Sequence, residues 1–412
     1  MEAQISQTAL PPELWDHVVN ELSDDRLALQ ACGLTRRVWV ASTRRHLFRA
    51  IELEESEGCE RFRDILVSSS SVGTGVARYV YDVTLRLVRL RLDVPEDAEA
   101  SDIPLLEETL SRLPNVDRLQ LFDVNVKYRS DVQTNDGLDQ GHPDRPLRSL
   151  LTLPKLRTLC LTLILFDSPF DTMFLLAAFP QVSSLQLRNL VQMGGVPTRW
   201  RPQLPGNMCI RGLDVADVDL TAIVPFLNML RHPPFICALQ KLTWLLYPRA
   251  DEVSLLMEMV GEAEGTLEEL EIRCAPNSDL FEKMDLSQHS RLKSLRVKFS
   301  KLTNDAPPPF HHSLPSFLSR TSNNLRALHL SVDSSLFPHE TPPWPLAGLP
   351  SLDEALTRLH KRNPYLARRY WFRGYPPLCE KGFVSVLYYV AKDREALICF
   401  SVLRLSAYDV RG

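Results

Sequence analysis

The sequence predicts an α/β fold: a short N-terminal group of three helices, then an irregular solenoid of strand–helix repeats with parallel strands. Three observations carry this reading. The pattern aliphatic-x-x-Leu-x-aliphatic returns eight times between Val116 and Leu330. Segments of helical apolar periodicity fall between the copies, as strand–helix alternation requires. Upstream of them, Leu10 to Phe48 reads as three short helices.

The first of these helices follows Pro11, because Pro12 suits the first helical position, where no amide donor is needed. Leu14, Val18 and Leu22 recur every four residues and share one face. Trp15 and Val19 line an adjacent stripe, so the apolar surface is wider than one packing partner requires. Ser23 reads as the N-cap of a second helix, with Asp24 and Asp25 in an acidic first turn. That helix carries Leu27, Leu29 and Ala31 and ends near Gly33. A third runs from Leu34 through Trp39 to about Phe48. Three short helices bury little surface and need help from a metal, a disulfide or a partner. The segment has no metal-ligand spacing and one cysteine, Cys32. A protein partner remains as the way to cover Leu14, Trp15 and Trp39.

These residues resemble the F-box. Leu10-Pro11-Pro12-Glu13-Leu14 matches that family's Leu-Pro-x-Glu-Leu, and Val18-Val19, Leu22, Leu27 and Leu34 to Trp39 follow at its spacings. Asp24-Asp25-Arg26 and the closing Arg44 to Arg49 are similar to the expanded F-box families of mushroom-forming fungi. Thr35-Arg36 stands where the family has Val-Cys, which removes an apolar contact. The resemblance covers residues 10–50 of 412, with a tail at 1–9. It implies that Leu10, Pro11, Leu14, Trp15, Val18, Leu22, Leu27, Leu34 and Trp39 bind a Skp-type adaptor.

Residues 51–78 read as a connecting segment. Glu52, Glu54, Glu55 and Glu57 form an acidic patch, and a helix follows from Glu60 to Ser68. The single Gly-x-Gly at Gly73 and Gly75 has no following Lys-Ser/Thr, so it marks a turn and not a phosphate cradle.

Residues 79–336 form the repeat array. After a weaker copy at Val80, Val83 and Leu85, the central leucines stand at 119, 159, 185, 213, 242, 270, 295 and 328. Five of their seven steps lie between 25 and 29 residues, the period of leucine-rich repeats. The two longer steps hold a polar insert, Lys127 to Pro146, and the run Pro307-Pro308-Pro309. Helical returns are predicted at 105–113, 170–179, 222–230, 253–262, 280–286 and 314–319. Each is too short to be stable alone, and stacking buries its apolar face. The position that often holds asparagine carries Val124, Ile164, Leu190, Val218, Tyr247, Ala275, Ser300 and Asp333. An asparagine ladder is therefore absent, and the turns must be satisfied otherwise. Residues 337–412 read as an atypical capping region, with a helix at 352–360 and strands at 368–372 and 383–390.

Composition narrows the function. The chain is 44% hydrophobic and 24% charged, with net charge −4, so nothing favours nucleic acid or an acidic membrane. Its eight cysteines are spread singly, as in a reducing compartment. No signal peptide or membrane-length apolar run is evident. Histidines and acidic pairs form no catalytic or metal-binding constellation, and no cofactor is expected.

Alternation along the strands turns Arg118, Gln120, Phe122, Thr158, Cys160, Gln186, Arg188, Asp214, Lys241, Thr243, Glu269, Glu271, Arg273, Arg296, Lys298 and His329 outward. Of these, Arg188, Asp214, Glu269, Glu271, Arg273, Arg296 and Lys298 are the candidate substrate-binding set. Opposite charges there pair at little benefit to folding, yet can select a partner. The F-box resemblance, joined to the repeats, implies a non-catalytic substrate receptor of an SCF-type cullin-RING ubiquitin ligase, in the cytoplasm or nucleus. The alternative is a leucine-rich-repeat interaction scaffold without a ubiquitination role.

Overall fold

The structure, a computed structural model, describes residues 11–71, 75–87, 89–91, 103–127, 153–166, 175–176, 179–192, 208–218, 220–231, 235–245, 250–274, 279–299, 313–333, 349–363, 366 and 401–403. The expected strands at 368–372 and 383–390, and nearly all of the polar insert, lie outside these residues. The chain divides into two compact units, residues 1–183 with 190–208, and residues 184–189 with 209–412.

The first unit opens with helices α1 (Pro12–Glu21), α2 (Arg26–Thr35) and α3 (Val40–Leu47), with a 3-10 turn at Arg37–Trp39. Pro12 does occupy the start of α1. The N-cap of α2 is Asp25 rather than Ser23. Its extended backbone (φ −103°, ψ 91°) lets the carboxylate accept from the Ala28 amide at 2.9 Å. Gly33 does not end α2, which continues two residues further. It lies where α2 approaches α3, and a Cβ there would stand 3.0 Å from Thr43 Oγ1.

The repeats begin earlier than the recurrence predicts. Strand β1 (Ala50–Glu54) lies within the expected connecting segment and pairs in parallel with β2 (Asp82–Arg86), Ile51 opposite Val83 and Leu53 opposite Leu85. Helix α4 (Glu55–Ser71) is its return. The parallel order continues through β4 (Arg118–Phe122) to β6 (Thr158–Thr162), with α5 (Ile103–Ser111) between β2 and β4. Four shorter strands, β3 (Arg89–Arg91), β5 (Asn125–Lys127), β7 (Leu165–Phe166) and β9 (Val191–Gln192), make a second parallel sheet.

A left-handed residue follows each long strand of this unit directly: Glu55 (φ 56°), Leu87 (φ 55°), Asp123 (φ 53°) and Leu163 (φ 54°). This bend lets the Leu87 and Asp123 amides donate to the Phe122 and Thr162 carbonyls at 3.2 and 3.0 Å. It also turns Val124 and Ile164 into the core. The side-chain rungs lie at the other end of the strands. Asn115 Nδ2 donates to the Arg78 carbonyl at 2.8 Å, and Gln181 Nε2 to the Leu153 carbonyl at 2.7 Å.

The second unit holds β8 (Ser184–Arg188), β10 (Met208–Ala216), β11 (Phe235–Leu245), β12 (Glu269–Cys274), β13 (Ser294–Phe299), β14 (Ala327–Asp333) and β15 (Ser401–Leu403), neighbours in that order. Its helices are α6 (Leu220–Leu230), α7 (Ala250–Glu262), α8 (Leu280–Lys283), α9 (Ser313–Ser319) and α10 (Leu349–Arg362). Rungs recur here, from Thr266 to the Leu239 carbonyl at 2.8 Å and from Asn324 to the Ser290 carbonyl at 2.5 Å. Arginines tie successive returns together. Arg320 donates to the Phe281 and Glu282 carbonyls, and Arg362 to those of Leu318 and Ser319. The expected capping region thus extends the array, by α10 and by β15 paired with β14. Across both units every aliphatic of the eight copies, and Trp244 with them, is at most 5% exposed.

Candidate protein-interaction surfaces

Side-chain hydrogen bonds join the first and third N-terminal helices. Ser42 Oγ donates to Asp16 Oδ1 at 2.8 Å, and His46 Nε2 lies 2.8 Å from Asn20 Oδ1, so both bonds join α3 to α1. Burial, then the cations Arg45 and Arg49, lower the His46 pKa. Val19 and Leu29 are buried core. The remaining apolar residues are not. Leu14 is 47% exposed, Val18 46%, Leu27 77% and Leu34 90%, while Trp15, Leu22 and Trp39 are half-buried. Pro11 is exposed, and Leu10 lies outside the described residues. Leu14 and Val18 share a face of α1, and Leu27 and Leu34 share a face of α2.

Sequence reasoning missed Val38, 70% exposed on the 3-10 turn. The signal was present, since Val38 follows Leu34 by four residues. Thr35 and Arg36 also make contacts of their own. Thr35 Oγ1 donates to the Ala31 carbonyl at 2.7 Å. The Arg36 guanidinium stands 5.8 Å from the Trp15 ring centre and 5.6 Å from that of Trp39, and the two indoles are 4.7 Å apart. Arg36 thus makes a cation–π contact with both rings.

The second candidate surface is the outward strand face of the second unit. Its expected charges do come together, in alternating pairs. Arg188 is 3.8 Å from Asp214, and Lys241 is 3.0 Å from Glu269. Glu271 lies opposite Arg296 in register and takes both Arg296, at 3.7 Å, and Lys298, at 2.5 Å. Arg273 reaches Asp217 at 3.9 Å. Asp217 was missed because it occupies the left-handed turn after β10, outside strand alternation. Two expected outward residues, Cys160 and Thr243, are buried. Each is a short side chain in register with a longer one, Gln120 and Glu271 respectively.

Burial raises the Asp214 pKa against the opposing pull of Arg188, and Glu271 adds to the rise. Burial likewise lowers the His329 pKa, with Arg296 next in effect. In the first unit the face carries Arg118 3.7 Å from Asp82 and Arg86 3.3 Å from Glu52. Among the described residues no group of His, Cys, Asp and Glu could hold a metal ion, and no helix is long and apolar enough to cross a membrane. No protein-family model matches the chain, and no curated protein matches it.

Proposed function

We propose that the chain is a non-catalytic substrate-receptor subunit of an SCF-type cullin-RING ubiquitin ligase, working in the cytoplasm or nucleus. In this reading residues 10–50 are an F-box that docks on a Skp-type adaptor. The strand–helix array is an irregular leucine-rich-repeat solenoid that presents its outward strand face to a protein substrate. One observation carries the proposal: Leu14, Val18, Leu27, Leu34 and Val38 stand exposed within 25 residues of helix and turn. Leaving such a side chain in water forgoes about 1.5–3 kcal/mol of burial. Clustered exposure of this kind marks an interaction site. A receptor needs no chemistry of its own, because tethering raises the effective concentration of substrate near the conjugating enzyme.

The test is co-purification of a Skp-type adaptor with the full chain and with a chain lacking residues 1–48. This cut spares Arg49, whose carbonyl accepts from the Tyr81 and Asp82 amides. Adaptor retained by the full chain alone supports the proposal; adaptor retained by both, or by neither, contradicts it. The scaffold alternative draws on the Arg36 cation at the indole pair. It predicts repeat-dependent partners with no cullin in the captured complex.

A further inference from the structure

A cavity of about 560 Å³ lies beside the strand entrances of the second unit, where residues preceding β12, β13 and β14 meet the end of α10. That volume is within the usual range for small-ligand sites. Three of its charged residues, one anion and two cations, come from corresponding positions of successive repeats. Glu268, Lys293 and Arg326 each immediately precede or nearly precede a strand, and their backbones form a ladder. The Lys293 amide donates to the Glu268 carbonyl at 2.8 Å, and the Arg326 amide to the Lys293 carbonyl at 2.7 Å. Lys293 Nζ is 2.5 Å from Glu268 Oε2, so these two side chains neutralise each other. Arg326 and Arg291 also line the cavity, and among the described residues neither pairs with a carboxylate.

Arg291 departs from a recurring device, as Lys155 and Ala238 also do. It occupies the place before the aliphatic Leu292 that Asn115, Gln181, Thr266 and Asn324 hold in other copies, where each donates to the preceding repeat's carbonyl. Among the described residues Arg291 makes no such bond, so its guanidinium is available to the cavity. The lining also includes Asn363, which is buried. Its Nδ2 donates to the Leu359 and Ser322 carbonyls at 3.2 and 3.4 Å, while Oδ1 accepts no hydrogen bond among the described residues. A buried acceptor of this kind is stabilised by any donor brought to it.

We infer that this cavity binds a phosphate monoester, with Arg291 and Arg326 on the phosphate and Asn363 accepting from a hydroxyl or amide of the esterified group. A phosphate dianion matches two guanidiniums in charge and offers oxygens to both planar forks, which a single carboxylate does not. The positive field of Arg291 is already felt by Glu268, whose pKa is lowered first by Lys293 and further by Arg291. The inference is independent of adaptor docking. It uses residues of the second unit alone.

The test follows the arginine side-chain Nε–Hε NMR signals of the full chain, assigned through Arg291→Gln and Arg326→Gln. The chain is titrated with glycerol 3-phosphate, with a phosphoserine peptide and with acetate. A saturable shift of both signals with either phosphate ester is expected, and calorimetric titration of the parent and the double variant, which needs neither arginine signal, should show affinity at least about tenfold weaker in the double variant. Arg358→Gln, on the exposed side of α10, should leave the affinity unchanged. Saturation by glycerol 3-phosphate alone would identify a small-molecule ligand, and saturation by the peptide alone a phosphorylated protein; both support the site. No saturable shift, acetate binding as tight as the esters, or undiminished affinity in the double variant would overturn it.

Discussion

The N-terminal helices and the strand–helix repeats treat the same residue type in opposite ways. Leu270 and Leu295, at the centres of adjacent repeats, are at most 1% exposed, whereas Leu34 on α2 is 90% exposed. Hydrophobicity does not explain the difference; neighbours do. Each repeat is flanked by others that cover its strand and its return helix, so an aliphatic every two or three residues finds partners on several elements. The N-terminal segment has only three short helices, and Val19 and Leu29 use up the interior they enclose. What lies outside that small core must stay wet or meet another protein. Repeats therefore bury their apolar residues against one another, while the N-terminal helices leave several exposed.

The comparison breaks most readily at the buried leucines. Leu270→Ala should cost about 2–5 kcal/mol in urea denaturation, and Leu34→Ala no more than about 0.5 kcal/mol. Equal losses would mean that both regions share one kind of packing. A smaller effect sharpens the picture of the strand face. Removing both cations from Glu271 with Arg296→Gln and Lys298→Gln should cost about 0.2–1 kcal/mol per pair, because both cations are substantially exposed. Adding salt should narrow the gap from the parent in thermal denaturation. A salt-independent loss would point to packing of the side-chain stems instead.

The smallest effect concerns pH. Burial raises the folded-state pKa of Asp214 above its ordinary 3.8, so the folded chain holds that proton more tightly than the unfolded chain. Its favourable contribution is fully present below the unfolded value and is lost as pH rises through the folded one. Asp214→Asn should therefore gain stability relative to the parent between acid and neutral pH, read by denaturation at both. A variant that loses ground toward neutrality would show that the Arg188 pair outweighs burial.

Much of the array was legible because alternation with one buried face leaves a period-2 signature, and every predicted triplet from Val116 to Leu330 is core. Strand β1 escaped because its triplet, Phe48, Ile51 and Leu53, opens on an aromatic and carries Ile where the pattern has its central Leu. Admitting Phe at the first position and Ile at the central one would have revealed it. The small second sheet escaped for another reason: its strands are two or three residues long and follow a left-handed turn, which in Leu87 and Leu163 falls on residues with no intrinsic preference for it. The charged residues of the strand face were legible as outward-facing, but not their partners. Glu271 takes two cations from one neighbouring strand, and that geometry depends on register and side-chain reach rather than spacing. At the N-terminus the apolar surface was legible, but the Arg36 contact with two indoles required the turn at Arg37–Trp39 to form first.

The central claim is that apolar residues left outside the N-terminal core serve docking. Its most direct test replaces Leu14 and Val18 together with Asp in the full chain and measures retention of a Skp-type adaptor through gel filtration. Both positions are already solvent-exposed, so folding should tolerate the charges, while a partner would have to bury them unpaired. The account predicts that the parent elutes with the adaptor, that the variant does not, and that both show the same melting transition. Adaptor retained equally by the variant, or absent from the parent, would contradict it.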